Sequence, residues 1–504
     1  SNIIAIIMII TTINIPLATA ESNVNYPPEG NKCGYIFSLK ETPDFDITND
    51  DIIVISADAN VYVSKSIEAI KAIEDKVDIN FIAENTPIQP IPIVDDNLEL
   101  FSDEISEPNN TDIPETTNIP EIDTPVSTET PETTEEPSAT NEPTATEEPT
   151  TTPLPEHYTN DLLYYQMWHH NAMRDYVYRE NDITGKGVKV GVIDTGIMRD
   201  WEDFEGVDIQ DGINVCALLD NNEERLHIMG DAHPHGTGII GNIAAKINNE
   251  KGIAGIVDEC TVIPYKVEDT ACSDFANTCA GILKALQLAY EDGCDVVNIS
   301  MGSDPDLTES QIQMFNTVVD SVTSNGMIIV AAAGNEGEVD KYGDLANANI
   351  YPASCKNVIG VGAVEPNCDS VKLYEDIASG LYTTLDNPHV FDSRRLVNTY
   401  TFDMINNLER NQYKKCDFST ANDSVFISAP GKEIRTYTYG WEGVAPYISH
   451  MGTSEATPMV AAAAIGVKQM RPYIDTDMFK EILKETAIDI DGEGYDVNTG
   501  YGMI

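Results

Sequence analysis

Basic residues are scarce in this chain. Lys and Arg together number 29 against 84 Asp and Glu, for a formal charge of −55, so neither nucleic acid nor an anionic membrane surface is an expected partner. Not one Lys or Arg occurs between Lys76 and Arg174. The nine cysteines include no C-x-x-C pair, which argues against zinc and leaves disulfides or buried thiols, in keeping with an oxidising compartment. Their connectivity is not readable from spacing; Cys368 and Cys416 are one pair able to tie a loop. No Met opens the sequence and no basic residue precedes its first apolar run, Ile3 to Leu17, as expected of a truncated start. That run ends in Ala18-Thr19-Ala20, the small-x-small form of a signal-peptidase site, so 1–20 is expected to be an export signal and the protein secreted or held at the cell surface. A transmembrane anchor is the competing reading, against which Asn14 and Pro16 interrupt the run.

The 504 residues are too many for one small domain. Residues 94–157 are rich in Thr, Pro and Glu, as in Thr130-Pro131-Glu132-Thr133-Thr134, and lack the apolar density that offsets chain ordering, so a disordered acidic linker is expected. Ahead of it, in 21–93, strands are expected at Gly34 to Leu39, Ile52 to Ile55 and Ile79 to Ala83, with a helix over Ser66 to Glu74. These form a small αβ unit. From Lys186 onward, apolar β-branched runs (Val188 to Ile193, Cys260 to Val267, Asp295 to Ser300, Met327 to Ala332, Asn357 to Val364) alternate with helical stretches such as Ala280 to Glu291. Continuous apolar strands separated by crossover helices predict an α/β fold with a doubly wound, mostly parallel sheet over 158–504, and functional residues then belong at strand carboxyl ends.

Three short motifs fall at such ends. Val192-Ile193-Asp194-Thr195-Gly196 closes a strand, His235-Gly236-Thr237-Gly238 opens a small-residue helix, and Gly452-Thr453-Ser454-Glu455-Ala456-Thr457-Pro458 opens another. Taken singly, Asp194 reads as a turn cap, His235 as a helix-start residue and Ser454 as an N-cap. Taken together, in the order Asp, His, Ser, they have the composition of an activated alcohol: a hydroxyl, a base to take its proton and a carboxylate to orient the base.

With these motifs, residues 158–504 resemble the subtilisin-like serine peptidases (subtilases). The resemblance implies that Ser454 is the nucleophile, His235 its general base and Asp194 the orienting carboxylate. It also implies that Asn335, in Ala333-Gly334-Asn335-Glu336-Gly337, donates its amide to the oxyanion, a contact worth roughly 3 to 4 kcal/mol in subtilisin itself. Ser300, Met301 and Gly302 would form one wall of the first specificity pocket and pair with an extended peptide; Ala332 and Gly334 would form the other. Ile350 would be the pocket floor, shortening it in favour of small or medium apolar residues. No cofactor is implied for catalysis. A structural calcium is implied at Asp203 and Asn249, although Lys251 in the same loop argues equally for an ordinary surface turn.

By a looser resemblance, 21–93 is an inhibitory pro-region that places Glu84 to Ile91 in the cleft; an independent interaction domain is the alternative. Pro458 is expected in the first helical turn, where its missing N–H forfeits little. Two residues depart from the family pattern. Gly238 stands where many relatives have a second His, and Glu455 puts a carboxylate beside the nucleophile. Either Glu455 turns to solvent or a cation, or acyl transfer is slowed; with reorientation, Glu455→Ala is expected to leave kcat/KM unchanged or raised. His233 is a rival base. The segment 365–427 is longer than usual, with exosite, lid and passive loop all open. The expectation is a monomeric, secreted endopeptidase made as an inactive precursor that acts on polypeptides. Its rivals are a processing peptidase for one peptide and a catalytically silent binding protein with its own pro-region in the cleft.

Overall fold

The apolar β-branched runs between 186 and 366 form the centre of the molecule. The computed structural model describes residues 33–43, 47–48, 51–74, 76–90, 159–231, 233–273, 277–305, 307–367, 413–438 and 447–504. The expected export signal (1–20), the linker (94–157), Ile91 and most of the 365–427 insertion, including Cys368, lie outside them. All of the described residues belong to one compact unit, and no helix among them is long and apolar enough to cross a membrane.

The N-terminal part is a four-stranded antiparallel sheet of β1 (Tyr35–Leu39), β2 (Ile52–Ser56), β3 (Val61–Ser64) and β4 (Ile79–Glu84), in the order β2-β3-β1-β4. A helix, α1 (Ile67–Lys71), is capped by the Ser66 hydroxyl, which accepts from Ala69 N. Successive side chains of a strand face opposite ways, and both faces here are covered. Tyr35, Phe37 and Leu39 pack with Ile67 and Ile70 of α1, while Ile36, with Ile55, Val63 and Phe81, joins the core of the larger domain. β3 was not anticipated, because four residues after the Ala57 to Asn60 turn carry little periodicity. A short strand, β5 (Ile88–Pro90), follows.

The larger part begins with α2 (Trp168–Met173), α3 (Tyr176–Glu180), β6 (Lys189–Asp194), β7 (Asp208–Ile209), β8 (Ile213–Asn214), α4 (Val215–Leu219), α5 (His235–Ala244) and β9 (Thr261–Lys266). It continues with α6 (Cys279–Glu291), β10 (Val296–Ile299), β11 (Met301–Ser303), α7 (Glu309–Thr323), β12 (Ile328–Ala332), α8 (Val339–Tyr342), β13 (Val358–Pro366) and β14 (Tyr413–Lys415). Last come β15 (Val425–Pro430), β16 (Ile434–Tyr437), β17 (Tyr447–His450), α9 (Thr453–Met470) and α10 (Thr476–Thr486).

The nine-stranded sheet runs β14-β13-β12-β10-β6-β9-β7, with β15 also on β13 and β8 also on β9. It is parallel throughout except for β14, and its strands were legible as apolar runs because helices cover both faces. On one face lie α5 and α9; on the other lie α6 and α7 with the N-terminal sheet beyond them. Small residues set the fit of α9, in which Ala456, Ala461, Ala462 and Ala464 are wholly buried. At Gly466 a Cβ would stand 2.3 Å from the Tyr178 ring, so any larger residue would push α3 away.

Candidate active site

Asp194 is the last residue of β6, and the chain must then turn sharply. Gly196 has φ +127°, and a Cβ there would stand 2.5 Å from the Met229 carbonyl, so only glycine fits. His235 is the first residue of α5. The free N–H groups of that first turn are satisfied by side chains: Gly236 N donates to Thr195 Oγ1 (2.9 Å) and Thr237 N to Asp231 Oδ2 (2.9 Å). The Thr195 and Thr237 hydroxyls also donate to Asp231, at 2.7 and 2.6 Å. Asp231 therefore ties the helix start to the loop after Asp194. Sequence reasoning passed over it, because nothing local marks an Asp four residues before the His as a cap.

The His235 imidazole is 1% exposed, and its Nδ1 lies 2.7 Å from Asp194 Oδ1. Nδ1–H donating to the carboxylate leaves Nε2 as the basic nitrogen. Burial by itself lowers the pKa of His235, but the Asp194 charge and hydrogen bond, with Glu455 and Asp231 behind them, outweigh it and hold the group up at about 9. His233, the rival base, is exposed. Partial desolvation of its ring and the neighbouring His235 lower its pKa.

Ser454 is the second residue of α9 and is fully buried. Among the described residues neither its Oγ nor His235 Nε2 has a hydrogen-bond partner. Pro458 lies in the second helical turn and not the first. The N–H it lacks would have bonded the Ser454 carbonyl, and that carbonyl instead accepts from Ser300 Oγ at 2.9 Å. Ser300 is in turn held by Asn298 Nδ2 at 3.0 Å. The proline thus links the backbone of Ser454 to the end of β10.

Asn335 is also buried; its Oδ1 accepts from Thr453 N (2.9 Å) and Thr453 Oγ1 (3.1 Å), which fixes the amide orientation. Beside it, the position a Cβ would take on Gly452 lies 2.8 Å from Ser454 Oγ and 3.3 Å from Asn335 Nδ2. Glycine keeps this gap open between an alcohol and an amide donor, at the N-terminus of an 18-residue helix.

The expected pocket residues converge on one another. A Cβ on Gly302 would meet Ile350 Cγ2 at 2.3 Å, and one on Gly334 would meet Ile350 Cγ1 at 2.9 Å, so Ile350 sits between the two walls. Met301 and Ala332 are buried in those walls, and Ser303 N donates to the Tyr351 carbonyl at 2.8 Å. Along this wall runs β5. It pairs antiparallel with β11 in the register Met301↔Pro90, Gly302↔Gln89 and Ser303↔Ile88. Upstream, Cys279 N donates to the Thr86 carbonyl (2.8 Å), Ala280 N to Asn85 Oδ1 (3.1 Å) and Gln311 Nε2 to the Glu84 carbonyl (2.8 Å). Residues 88–90 therefore lie along Met301–Ser303, and 84–86 against the first turns of α6 and α7.

The loop expected to hold calcium is occupied by protein donors. Asp203 Oδ2 accepts from the Tyr447 hydroxyl (2.8 Å) and Ile253 N (3.0 Å), and Oδ1 from Asn249 Nδ2 (3.4 Å). N–H donors repel a cation, and among the described residues no group of three acidic, His or Cys side chains is disposed around a metal. Asp203 and Asn249 do meet, but as a hydrogen-bonded turn closed by Tyr447, and calcium does not fit this donor set.

Glu455 is turned neither to solvent nor toward a basic side chain at the surface. It is 1% exposed, accepts from Asn242 Nδ2 at 2.8 Å and faces His450 Nδ1 at 3.4 Å. The space that the second His of many relatives would take at 238 is filled by Thr436, whose Oγ1 lies 2.6 Å from where a Cβ on Gly238 would be. Seven of the eight described cysteines are buried. Burial raises Cys260, Cys279 and Cys294 to about 12, so they pack as small apolar residues.

The sequence profile of the Subtilase family of peptidases matches residues 185–502. An intracellular serine protease of Paenibacillus polymyxa is 27% identical over 61% of this chain and 76% of its own length. The minor extracellular protease Epr of Bacillus subtilis (strain 168) is 27% identical over 64% of this chain and 38% of its own. The crystal structure of fervidolysin from Fervidobacterium pennivorans, a keratinolytic enzyme related to subtilisin, superposes with a TM-score of 0.59 at 18% identity, covering 95% of this chain and 60% of that one. This likeness is one of fold. The chain belongs to the subtilase family of serine peptidases.

Proposed function

We propose that the protein is a secreted endopeptidase, made as a precursor, that cuts polypeptides through Ser454, His235 and Asp194 with Asn335 as oxyanion donor. The observation that carries this reading is the pair of buried, unpartnered atoms, Ser454 Oγ and His235 Nε2, with Asp194 2.7 Å behind the imidazole. Reactive groups left unsatisfied in a core are destabilising, and a peptide carbonyl entering the gap gives both a role. His235 Nε2 takes the Ser454 proton as Oγ attacks the carbonyl carbon. The resulting oxyanion is met by Asn335 Nδ2 and the N–H groups of the α9 N-terminus. The imidazolium then returns its proton to the leaving amine, and water, activated by the same base, hydrolyses the acyl-enzyme.

The substrate adds as an antiparallel strand to Met301–Ser303, the place held by β5, and Ile350 restricts the first pocket to small or medium apolar side chains. This supports 21–93 as a pro-region that inhibits within its own chain as a monomer, with the 94–157 linker between inhibitor and enzyme. Secretion is supported by the expected export signal and by the extracellular relative. If β5 is never released, the silent binding protein is the reading that survives.

The test is mass analysis of the purified chain and its products on a peptide library. Wild type should cut after small or medium apolar residues, and Ser454→Ala should be intact and inert. Equal cleavage by Ser454→Ala would contradict the proposal.

A further inference from the structure

β5 has a neighbour on each edge. On one edge Ile88 pairs with Ser303 of β11. On the other its N–H faces the Asn277 carbonyl at 3.5 Å, and Pro87 forms an antiparallel bridge with Thr278. Residues 277–278 are thus a second rim, opposite Met301–Ser303. They belong to no strand of the large sheet, and the Thr278 carbonyl is engaged by Gly281 N in the first turn of α6, so the rim needs another anchor. The Asn277 side chain supplies it. A primary amide both donates and accepts, and this one does both to a single backbone residue: Oδ1 accepts from Asp269 N (2.8 Å) while Nδ2 donates to the Asp269 carbonyl (3.2 Å). Nδ2 also donates to the Ser273 carbonyl (3.2 Å), and Oδ1 accepts from the Cys216 thiol (3.2 Å). Asp269 is fixed in turn, and it is buried. Arg225 Nη2 donates to both of its carboxylate oxygens (2.9 and 2.8 Å), Asn214 Nδ2 to Oδ2 (2.7 Å) and Ala271 N to Oδ1 (3.0 Å).

We infer that Asn277 is a positioning residue for the substrate: it holds the rim whose carbonyl receives the outer edge of the incoming peptide strand, and Asp269 with Arg225 holds Asn277. The inference rests on the peptidase reading and deepens it. None of these side-chain bonds reaches Asp194, His235 or Ser454, so the rim acts on binding and not on bond cleavage. Its contacts are made at the places of Pro87 and Ile88, whereas Met301 is met at the place of Pro90. A peptide that begins at the place of Pro90 touches one rim only. Contacts made equally in the ground and transition states lower KM and leave kcat alone. The second rim therefore selects extended segments that reach several residues back from the cut.

The test compares two peptide anilides on the full chain, alike next to the cut, one with about six residues before it and one with about two. Asn277→Ala should raise KM for the long anilide roughly tenfold, with kcat within about twofold, and raise KM for the short one less than about threefold. Arg225→Gln, in a half-buried turn, keeps Asn277 and loosens its support, so it should raise the long anilide's KM by roughly threefold and decides the matter if Asn277→Ala does not fold. Equal KM changes for the two anilides, or a fall in kcat with KM unmoved, would overturn the inference, because a general loosening of the structure is blind to peptide length. If wild type cleaves neither anilide, the peptidase reading fails and amide exchange decides the role of Asn277. Amides of 86–89 and 277–280 should then exchange roughly tenfold faster in Asn277→Ala, with those of β10 and β12 unchanged. Exchange equal to wild type at the rim would show that Asn277 does not hold it.

Discussion

Among the described residues lie two buried His–Asp pairs, and only one leaves a ring nitrogen without a partner. His170 Nδ1 sits 2.5 Å from Asp175 Oδ2, much as His235 Nδ1 sits 2.7 Å from Asp194 Oδ1. Both imidazoles are fully enclosed. They differ at the other nitrogen. His170 Nε2 faces the Ala254 carbonyl at 3.1 Å, and Asp175 Oδ2 is also bonded by Arg179, so both ring nitrogens of His170 are used. His235 Nε2 has no partner among the described residues, and neither has the Ser454 hydroxyl. A His–Asp pair is therefore a device for holding an imidazole; whether it acts as a base depends on what the second nitrogen is left to meet.

Substitutions at the two pairs should separate these roles. The largest effect is expected for His235→Ala, with a fall in kcat of roughly 10⁵ to 10⁶ in a folded protein, measured with a peptide substrate. Asn335→Ala should follow, with a loss of about 10² to 10³ and little change in KM. His170→Gln should do the reverse: a stability loss of roughly 1 to 3 kcal/mol in denaturant unfolding, since it weakens the hydrogen bonding of a buried carboxylate that Arg179 still holds, with kcat per folded molecule within about twofold of wild type. If His170→Gln lost catalysis without losing stability, the distinction between the pairs would fail.

The pH dependence sharpens the same contrast. His235 is held at about 9 against an ordinary 6.5, and the base works only when neutral, so kcat/KM should rise with pH through a midpoint near 9. Stability runs the other way. A folded-state value above the unfolded one means that this pair's contribution is fully present below about 6.5 and is lost as pH rises through about 9. A kcat/KM midpoint at 6.5 would mean that the carboxylates around His235, Asp194 first among them, do no more than offset its burial. The smallest effect concerns the Asp203 loop: excess chelator should leave Tm within about 1 °C, whereas Tyr447→Phe should lower it by a few degrees.

The three reactive residues were legible because each sits where short-range signals are strong, at the end of an apolar run or ahead of small residues that open a helix. The parallel sheet was legible for the same reason. What escaped were contacts between residues far apart in the chain. Asn242 and Glu455 are 213 positions apart, and Tyr447 and Asp203 are 244 apart, so no window of sequence shows that the carboxylate next to Ser454 is fastened to the helix of His235, or that a tyrosine closes the Asp203 loop. Pro458 was misplaced by one turn because the helix starts at Thr453, and its real consequence, the Ser300 hydrogen bond, spans 154 positions.

The most direct measurement is fluorophosphonate labelling of Ser454, followed by intact-mass analysis, in wild type, His235→Ala and His170→Gln. The account predicts one adduct on wild type, one on His170→Gln at a similar rate per folded molecule, and none on His235→Ala over the same interval. Equal labelling of wild type and His235→Ala would contradict it.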